Sequence, residues 1–377
     1  MNKRTRETRA ELAPSREPLS LRAVNRATLA RQLLLRRHPI APHTAVAALA
    51  GLNAQAADHP YLGLWARVED FRAEQLTELL HARRVVRACL MRYTQHLVTA
   101  EDFQVLRPTL RPVLERVQRS AFGRRTRGVD LAELVEVGTK LLRGRTLTRP
   151  QLGRLLAERW PEHEPGALAW SFQYLAPVVH PPPDGVWGRR GGHTPMALAD
   201  DWLGAPTATA DPAQVVVRHL AAFGPATVRD VQAWSGLRRL SEVVDSLRSR
   251  LAVFHDEQGR ELFDLPDAPR PGPDVPAPPR FLPEYDNLLL AHDDRSRVMT
   301  REVRSRVCVG AGVAATLLVD GVVRGTWRIR RDGACATLEV EPFEPIGAAD
   351  RDRVTGEGLR LLAFAAPDAD EGRVRLG

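Results

Sequence analysis

Two carboxamides stand two residues apart in the stretch Leu52-Asn53-Ala54-Gln55, and Asp58 and His59 follow closely. A carboxamide carries donors and an acceptor but is no base, so Asn53 and Gln55 together could hold one water in a fixed orientation without taking its proton. That suits a reaction whose leaving group is already activated, where placing the nucleophile matters more than acid–base strength. The same residues also read as the polar end of a helix that starts near Pro42 and runs through Val46, Leu49 and Leu52, and residue types alone favour that second reading.

A second group is basic. Arg84, Arg87, Arg92 and His96 fall on or beside two apolar runs, at 84–92 and 95–98, that read as strands joined by a short turn. Alternation along the first strand would set Arg84 and Arg92 on one face and Arg87 with Met91 on the other. Arg189 and Arg190 lie in a short Gly-rich basic segment at 186–192, and Arg238 and Arg239 add a further basic spot. Such residues are either solvated surface or contacts to phosphates. A third candidate is Asp286, in an acid–amide stretch before an apolar run, readable as a functional carboxylate, as a cap, or as an ion-pair partner of Arg295.

Other chemistries find no support. The 11 histidines have no ligand spacing, and the three cysteines Cys89, Cys308 and Cys335 are far apart without a C-x-x-C pair, so no metal, cofactor or disulfide framework is indicated. There is no P-loop and no G-x-S-x-G. No apolar run is long enough to span a bilayer, and residues 1–16 lack the apolar core of a secretory signal; we expect a cytoplasmic, nucleoid-associated monomer with no membrane contact. Lys+Arg number 54 against 46 Asp+Glu, an excess that favours a polyanionic partner only weakly, because arginine far outnumbers lysine as in chains from GC-rich genomes.

The elements that must carry these residues form an order that recurs. Helices are expected over 25–35 with Asn25 as N-cap, from 42, over 61–65 and over 73–81, followed by the first hairpin. The order returns with helices over 131–142, from a Thr148 cap to 160 and over 167–179 before the basic segment, and again with helices over 213–223, 228–235 and 241–249 before strands at 251–254 and 261–263. Helices followed by a hairpin are the signature of a winged helix. A Pro-rich stretch at 267–279 reads as a linker; strands are expected at 313–318, 322–329 and 336–340, and a helix at 351–365 closes the chain. The expected class is mainly α with small β wings (α+β): a disordered basic leader at 1–18, winged helices at 19–122, 123–205 and 206–266, the linker, and a β-rich, barrel-like unit at 280–377.

Five segments carry a more specific resemblance. They are Arg-Tyr-Thr-Gln-His-Leu-Val at 92–98 with Glu101-Asp102, Phe-Gly-Pro-Ala-Thr at 223–227 with Trp234-Ser-Gly236, Leu-Pro-Glu-Tyr-Asp-Asn-Leu-Leu-Leu at 282–290, Asp294-Arg295, and Asp-Gly-Val-Val-Arg-Gly-Thr-Trp at 320–327. In this order they resemble the AlkZ-type DNA glycosylases, which unhook interstrand crosslinks and excise bulky N7-alkylguanine lesions. The resemblance implies three tandem winged helices, a C-terminal barrel-like unit and a catalytic Gln-x-Gln motif. Asn53, Ala54 and Gln55 stand at the matching positions, with Asn53 one methylene shorter than glutamine and Ala54 smaller than the usual aliphatic residue. It further implies a monofunctional glycosylase acting in base excision repair on double-stranded DNA with N7-alkylguanine or N3-alkyladenine lesions. The range would extend to natural-product adducts and crosslinks, as in antibiotic self-resistance. Catalysis falls to Asn53 and Gln55, DNA contact to Arg84, Arg87, Arg92, His96, Arg189 and Arg190, and site support to Asp58, His59 and Asp286. The alternative is a winged-helix DNA-binding protein or regulator without catalysis.

Overall fold

The computed structural model describes residues 17–189, 192–206 and 208–377. The basic leader up to residue 16, Arg190 and Gly191 lie outside the described residues. One element order recurs three times: a helix, a short extended segment, two helices, then a hairpin whose second strand also pairs with that short segment.

In the first repeat α1 (Leu21–Arg31) precedes α2 (Pro42–Ala48), β1 (Leu52–Asn53), α3 (His59–Trp65), α4 (Ala73–His81), β2 (Val85–Cys89) and β3 (Gln95–Thr99), with sheet order β1-β3-β2. Helices α5 (Ala100–Thr109) and α6 (Arg111–Phe122) lead on to α7 (Leu131–Leu142), β4 (Leu147–Thr148), α8 (Arg149–Arg159), α9 (Pro165–Leu175), β5 (Val178–Val179) and β6 (Pro195–Leu198), in the order β4-β6-β5. After α10 (Ala199–Leu203) the third repeat holds α11 (Pro212–Phe223), α12 (Val228–Ser235), α13 (Ser241–Leu247), β7 (Ala252–His255) and β8 (Glu261–Asp264), with Ala226 bridging to Phe263 in place of a first strand.

Local chemistry sets several of these boundaries. Thr148 caps α8 in a reciprocal box with Gln151, and Thr227 caps α12 with Asp230. Two expectations shift. Ser20, not Asn25, caps α1; Asn25 lies inside the helix, buried, where its Nδ2 donates to Arg297 O at 2.7 Å and Gly321 O at 2.8 Å. The helix begun at Pro42 stops at Ala48 because Ala50 and Gly51 take left-handed φ of 53° and 88°. A Cβ on Gly51 would lie 2.5 Å from Val98 Cγ1, so only glycine fits this turn. Leu52 thus leaves the helix and opens a strand.

The C-terminal unit is not barrel-like. Strands β9 (Arg280–Leu282), β12 (Thr316–Val319), β13 (Val322–Asp332), β14 (Cys335–Pro342) and β15 (Glu371–Leu376) form one open sheet in the order β15-β14-β13-β12-β9, and a helix α14 (Arg301–Val307) with the small hairpin β10 (Cys308–Val309) and β11 (Gly312–Val313) sits between β9 and β12. The two outer strands do not meet. Helix α15 (Ala348–Ala365) crosses the sheet instead and returns the chain to β15, parallel to β14. Gly358 permits this approach, since a Cβ there would fall 2.8 Å from Leu338 Cδ2. The charged sequence of β15 hides it from a hydrophobic-pattern search; it is a mostly exposed edge.

The apolar core of the first repeat is continuous with that of the C-terminal sheet, from Leu29, Leu49 and Tyr61 to Phe281, Leu317 and Leu338, whereas the second and third repeats have clusters of their own. Buried ion pairs join the parts. Arg67 clasps Asp286 at 2.8 and 2.9 Å, and Arg31 clasps Asp264 at 2.7 and 2.8 Å. The Pro-rich 267–279 stretch is fastened across α1, whose Arg22 and Arg26 donate to Pro273 O and Val275 O. No helix among the described residues is long and apolar enough to cross a membrane.

Arg67 and Asp286 are 0% and 1% exposed at their side chains. Removing one partner strands the other charge in the core, so Asp286→Ala is expected to lower unfolding stability by about 3–5 kcal/mol in chemical denaturation. Breaking the exposed Arg373–Glu371 pair should leave stability unchanged within error.

Candidate active site

The Asn53/Gln55 motif lies on a strand edge rather than at a helix end. Leu52 and Asn53 pair with Leu97 and His96, and Ala54 N donates to Gln95 O at 2.8 Å, carrying the ladder one residue further. Alternation buries Leu52 and Ala54 in the core and sends the side chains of 53 and 55 the other way. Asn53 is 3% exposed, whereas Gln55 is exposed. Asn53 Nδ2 donates to Gln55 Oε1 at 3.1 Å, and Gln55 N donates to Asn53 Oδ1 at 3.1 Å. Asn53 therefore stands behind Gln55 and orients it. Gln55 keeps its own NH2 group and a free lone pair for whatever lies in front.

In front lies a cleft of about 730 Å³. Gln55, Asp58, His59, Arg87 and Arg189 line it, with Asp184 and Gly185 from the loop between β5 and β6. The facing wall comes from the C-terminal unit: Pro283 and Glu284, then Ala315, Trp327, Arg328 and Ile329. Trp327 is pinned by its indole N–H, which donates to Leu282 O at 2.9 Å. His59 packs beside Tyr285, and its Nε2 stands 3.6 Å from Glu284. Burial, aided by the charge of Arg87, holds His59 down at about 4 despite Asp58 and Asp286 nearby, so its imidazole is neutral at neutral pH.

Beneath the motif, Arg87 Nε donates to Ala54 O at 2.8 Å and its NH2 to Gln55 O at 3.4 Å, while NH1 pairs with Asp184. Asp58 accepts from Gly188 N at 2.8 Å.

The structure thus brings Gln55, Asp58, His59, Arg87 and Arg189 into one cleft, with Asn53 just behind. It places the remaining expected residues elsewhere. Arg84 is exposed at the root of the first hairpin. The chain leaves the strand after Cys89, and Arg92 and Tyr93 adopt φ of 51° and 56° at the tip, which breaks the expected alternation. Arg92 folds inward, donating to Trp234 O at 2.8 Å, and desolvation lowers its guanidinium to about 10. His96 is fully buried, donates from Nδ1 to Thr94 O at 3.0 Å, and is pushed to about 3 by burial and by Arg92. Neither is presented to a groove. Asp286 is buried with Arg67 and caps Leu288 N at 3.0 Å, while Arg295 reaches Cys308 Sγ instead. Arg190 lies outside the described residues.

Sequence reasoning missed Asp184, Glu284, Trp327 and Arg328. The first had no local signal; Glu284 and Trp327 fell inside two of the resembling segments, but nothing in those segments says that they face Gln55.

The arrangement offers a neutral, oriented carboxamide in an open cleft, a neutral imidazole, two carboxylates engaged as acceptors by Arg87 and Gly188, and the exposed carboxylate of Glu284 beside the imidazole. Among the described residues no group of histidines, cysteines or acids is placed to hold a metal ion. Such a site can position water and stabilise a developing cation.

A family model described as DNA glycosylase AlkZ-like matches residues 46–364. No curated protein matches the chain. Among solved structures, the fold is similar to that of the DNA glycosylase AlkZ of Streptomyces sahachiroi, with a TM-score of 0.79 and 22% identity over 96% of this chain and 100% of that one.

The buried imidazoles make a pH prediction. Burial lowers His59 and His219 to about 4 and His96 and His180 to about 3, against an ordinary 6.5. Between those values the unfolded chain binds more protons than the folded one, so stability is full above pH 6.5 and falls as the pH drops toward 4. Chemical denaturation should show a loss on the order of a few kcal/mol from pH 7 to pH 5, in the direction set by these histidines.

Proposed function

The chain belongs to the AlkZ-like DNA glycosylase family, and from that premise we propose that it hydrolyses the N-glycosidic bond of cationic N7-alkylguanine and N3-alkyladenine in double-stranded DNA. The observation that carries this reading is the exposed Gln55 carboxamide, held by buried Asn53 at the floor of an open cleft. An N7-alkylated guanine already bears positive charge. As the bond from the sugar C1′ to N9 breaks, its electron pair passes to the base and neutralises that charge, so the leaving group needs no proton. The sugar becomes oxocarbenium-like. A water held by the Gln55 oxygen adds to C1′ and releases its proton to solvent, leaving an abasic site and free alkylpurine. The carboxamide dipole also favours the cationic sugar over the neutral ground state.

Several features support details of this reading. Lys140 is the only lysine apart from Lys3 and pairs with Glu136 on the outer face of α7, so a Schiff-base step has no amine at the cleft among the described residues and the enzyme is monofunctional. The cleft opens to solvent between the first repeat, the loop of the second and the C-terminal sheet, which suits bulky adducts and crosslinks better than a closed base-flipping pocket. We read each repeat as a winged helix, in units that follow the boundaries expected from sequence. Exposed Arg189 and Arg328 at the cleft, with Arg84 on the first hairpin, serve as phosphate contacts.

The test is single-turnover cleavage, after mild hot alkali, of a duplex holding one N7-methylguanine. Gln55→Ala should slow abasic-site formation by roughly 100-fold or more, the scale of losing a dipole aimed at the transition state. Asn53→Ala should cost about tenfold, the scale of one orienting hydrogen bond. The wild-type rate should be flat from pH 6 to pH 8, because His59 titrates at about 4. Tight binding of the duplex with no abasic site would leave a DNA-binding protein instead, and equal rates for Gln55→Ala and wild type would remove the motif from the chemistry.

A further inference from the structure

Arg87 has the position of a DNA contact in the sequence and the surroundings of something else. It is 7% exposed, and each of its three nitrogens is engaged: Nε on Ala54 O, NH2 on Gln55 O, NH1 on Asp184. Three of its five N–H donors are thus spent on protein acceptors, and the near-complete burial of the group leaves a phosphate little access to the other two. Its stem is covered as well, since a Cβ on Gly185 would lie 3.1 Å from Arg87 Cδ. The carboxylate it pairs with belongs to the second repeat, whose loop is fastened at His180 and Gly188 to the first repeat and at Trp187 to the first repeat and α15. His180 N donates to Arg87 O at 2.8 Å, Gly188 N donates to Asp58 at 2.8 Å, and the Trp187 ring packs 5.4 Å from Tyr61 and 5.2 Å from Phe364.

We propose that Arg87 and Asp184 form a positioning pair through which the loop of the second repeat fixes the backbone of the catalytic motif. This rests on Gln55 being the group that meets the lesion. Three successive polar groups of the motif backbone are held by side chains: Ala54 O and Gln55 O by Arg87, Gln55 N by Asn53. The Gln55 carboxamide is the one part of the motif left facing the cleft. Asp184 sets the rotation of the guanidinium, and the planar fork carries that setting to both carbonyls. A lysine keeps the charge but has no fork, so it cannot span Asp184 and the two carbonyls at once. The loop that sequence reasoning gives to phosphate contact thereby also belongs to the catalytic apparatus, and the first repeat alone would hold its motif loosely.

Arg87→Lys and Asp184→Asn separate this role from a phosphate contact, because the first keeps the cation and the second removes an anion. Each would be measured for single-turnover base release at saturating protein, affinity for undamaged duplex as a function of salt, thermal midpoint, and amide hydrogen exchange of the 53–58 segment. The expected result is a rate about 10- to 100-fold lower, the scale of a small misplacement of a reacting group, with faster exchange in 53–58. Affinity for undamaged DNA should stay within roughly twofold and its salt dependence should be unchanged. The double variant should be no slower than the worse single one. Weakened binding with a shallower salt dependence at an unchanged rate would overturn the proposal and make Arg87 a phosphate contact. Unchanged rate and unchanged exchange, with Gln55→Ala inactive, would overturn it while leaving the catalytic motif in place. Full activity of Gln55→Ala would remove both.

Discussion

The Arg67–Asp286 pair is the constraint on which the cleft depends. Both side chains are essentially without solvent, and the contact is bidentate. A guanidinium or carboxylate in such a place is stable only with its partner, so the segment that carries Asp286 has little freedom to move relative to the first repeat. Neighbouring bonds make the junction specific. Arg67 also donates to Gly63 O and Gln32 O, and Asn287 Nδ2 donates to Gly51 O at 2.9 Å, one residue before the motif strand begins. Pro283 and Glu284, just ahead of Asp286, are thereby set opposite Gln55. The same device recurs at Arg31–Asp264, and at Glu357, which gathers Arg37, Arg280 and Arg360.

Rigidity at this junction bears on the chemistry. A carboxamide is a weak catalyst: it neither accepts a full proton nor carries charge. Its usefulness comes from being already oriented when charge develops. Here the orientation is layered. Asn53 turns Gln55, the β1–β3 ladder sets Asn53 against His96, Gly51 sets the strand, and Arg87 holds the carbonyls. Asparagine in place of glutamine at the first motif position is consistent with this layering, because a buried orienting residue needs reach only to its neighbour.

Much of the fold was legible because its signals are local. Thr148 with Gln151, the Asp320-Gly321 turn with φ of 47° and 78°, and the apolar spacing of 73–81 and 131–142 each declare an element within a few residues. The open sheet was less legible, since a strand such as Glu371–Leu376 is defined by its parallel partner and not by its own apolar content. At the site, Asn53 and Gln55 stand out by type and spacing but read there as a helix end; the strand edge that turns Gln55 toward the cleft depends on the pairing with His96 and Leu97. Arg87, Arg92 and His96 were found as a basic hairpin, but burial depends on distant partners: Asp184, Trp234 and Thr94 take their polar atoms inward. Asp286 was marked as a carboxylate of interest, and its partner proved to be Arg67, 219 positions away.

An oriented carboxamide cannot protonate a leaving base, so one that works by placing water should act only where the base is already cationic. The direct measurement places N7-methylguanine and neutral O6-methylguanine at the same position of one duplex and follows abasic-site formation with the wild-type protein at saturation. N7-methylguanine should be released, and O6-methylguanine should not be released above the spontaneous rate. Comparable release of both would mean that a group in the cleft protonates the leaving base and that the Gln55 carboxamide does not act alone.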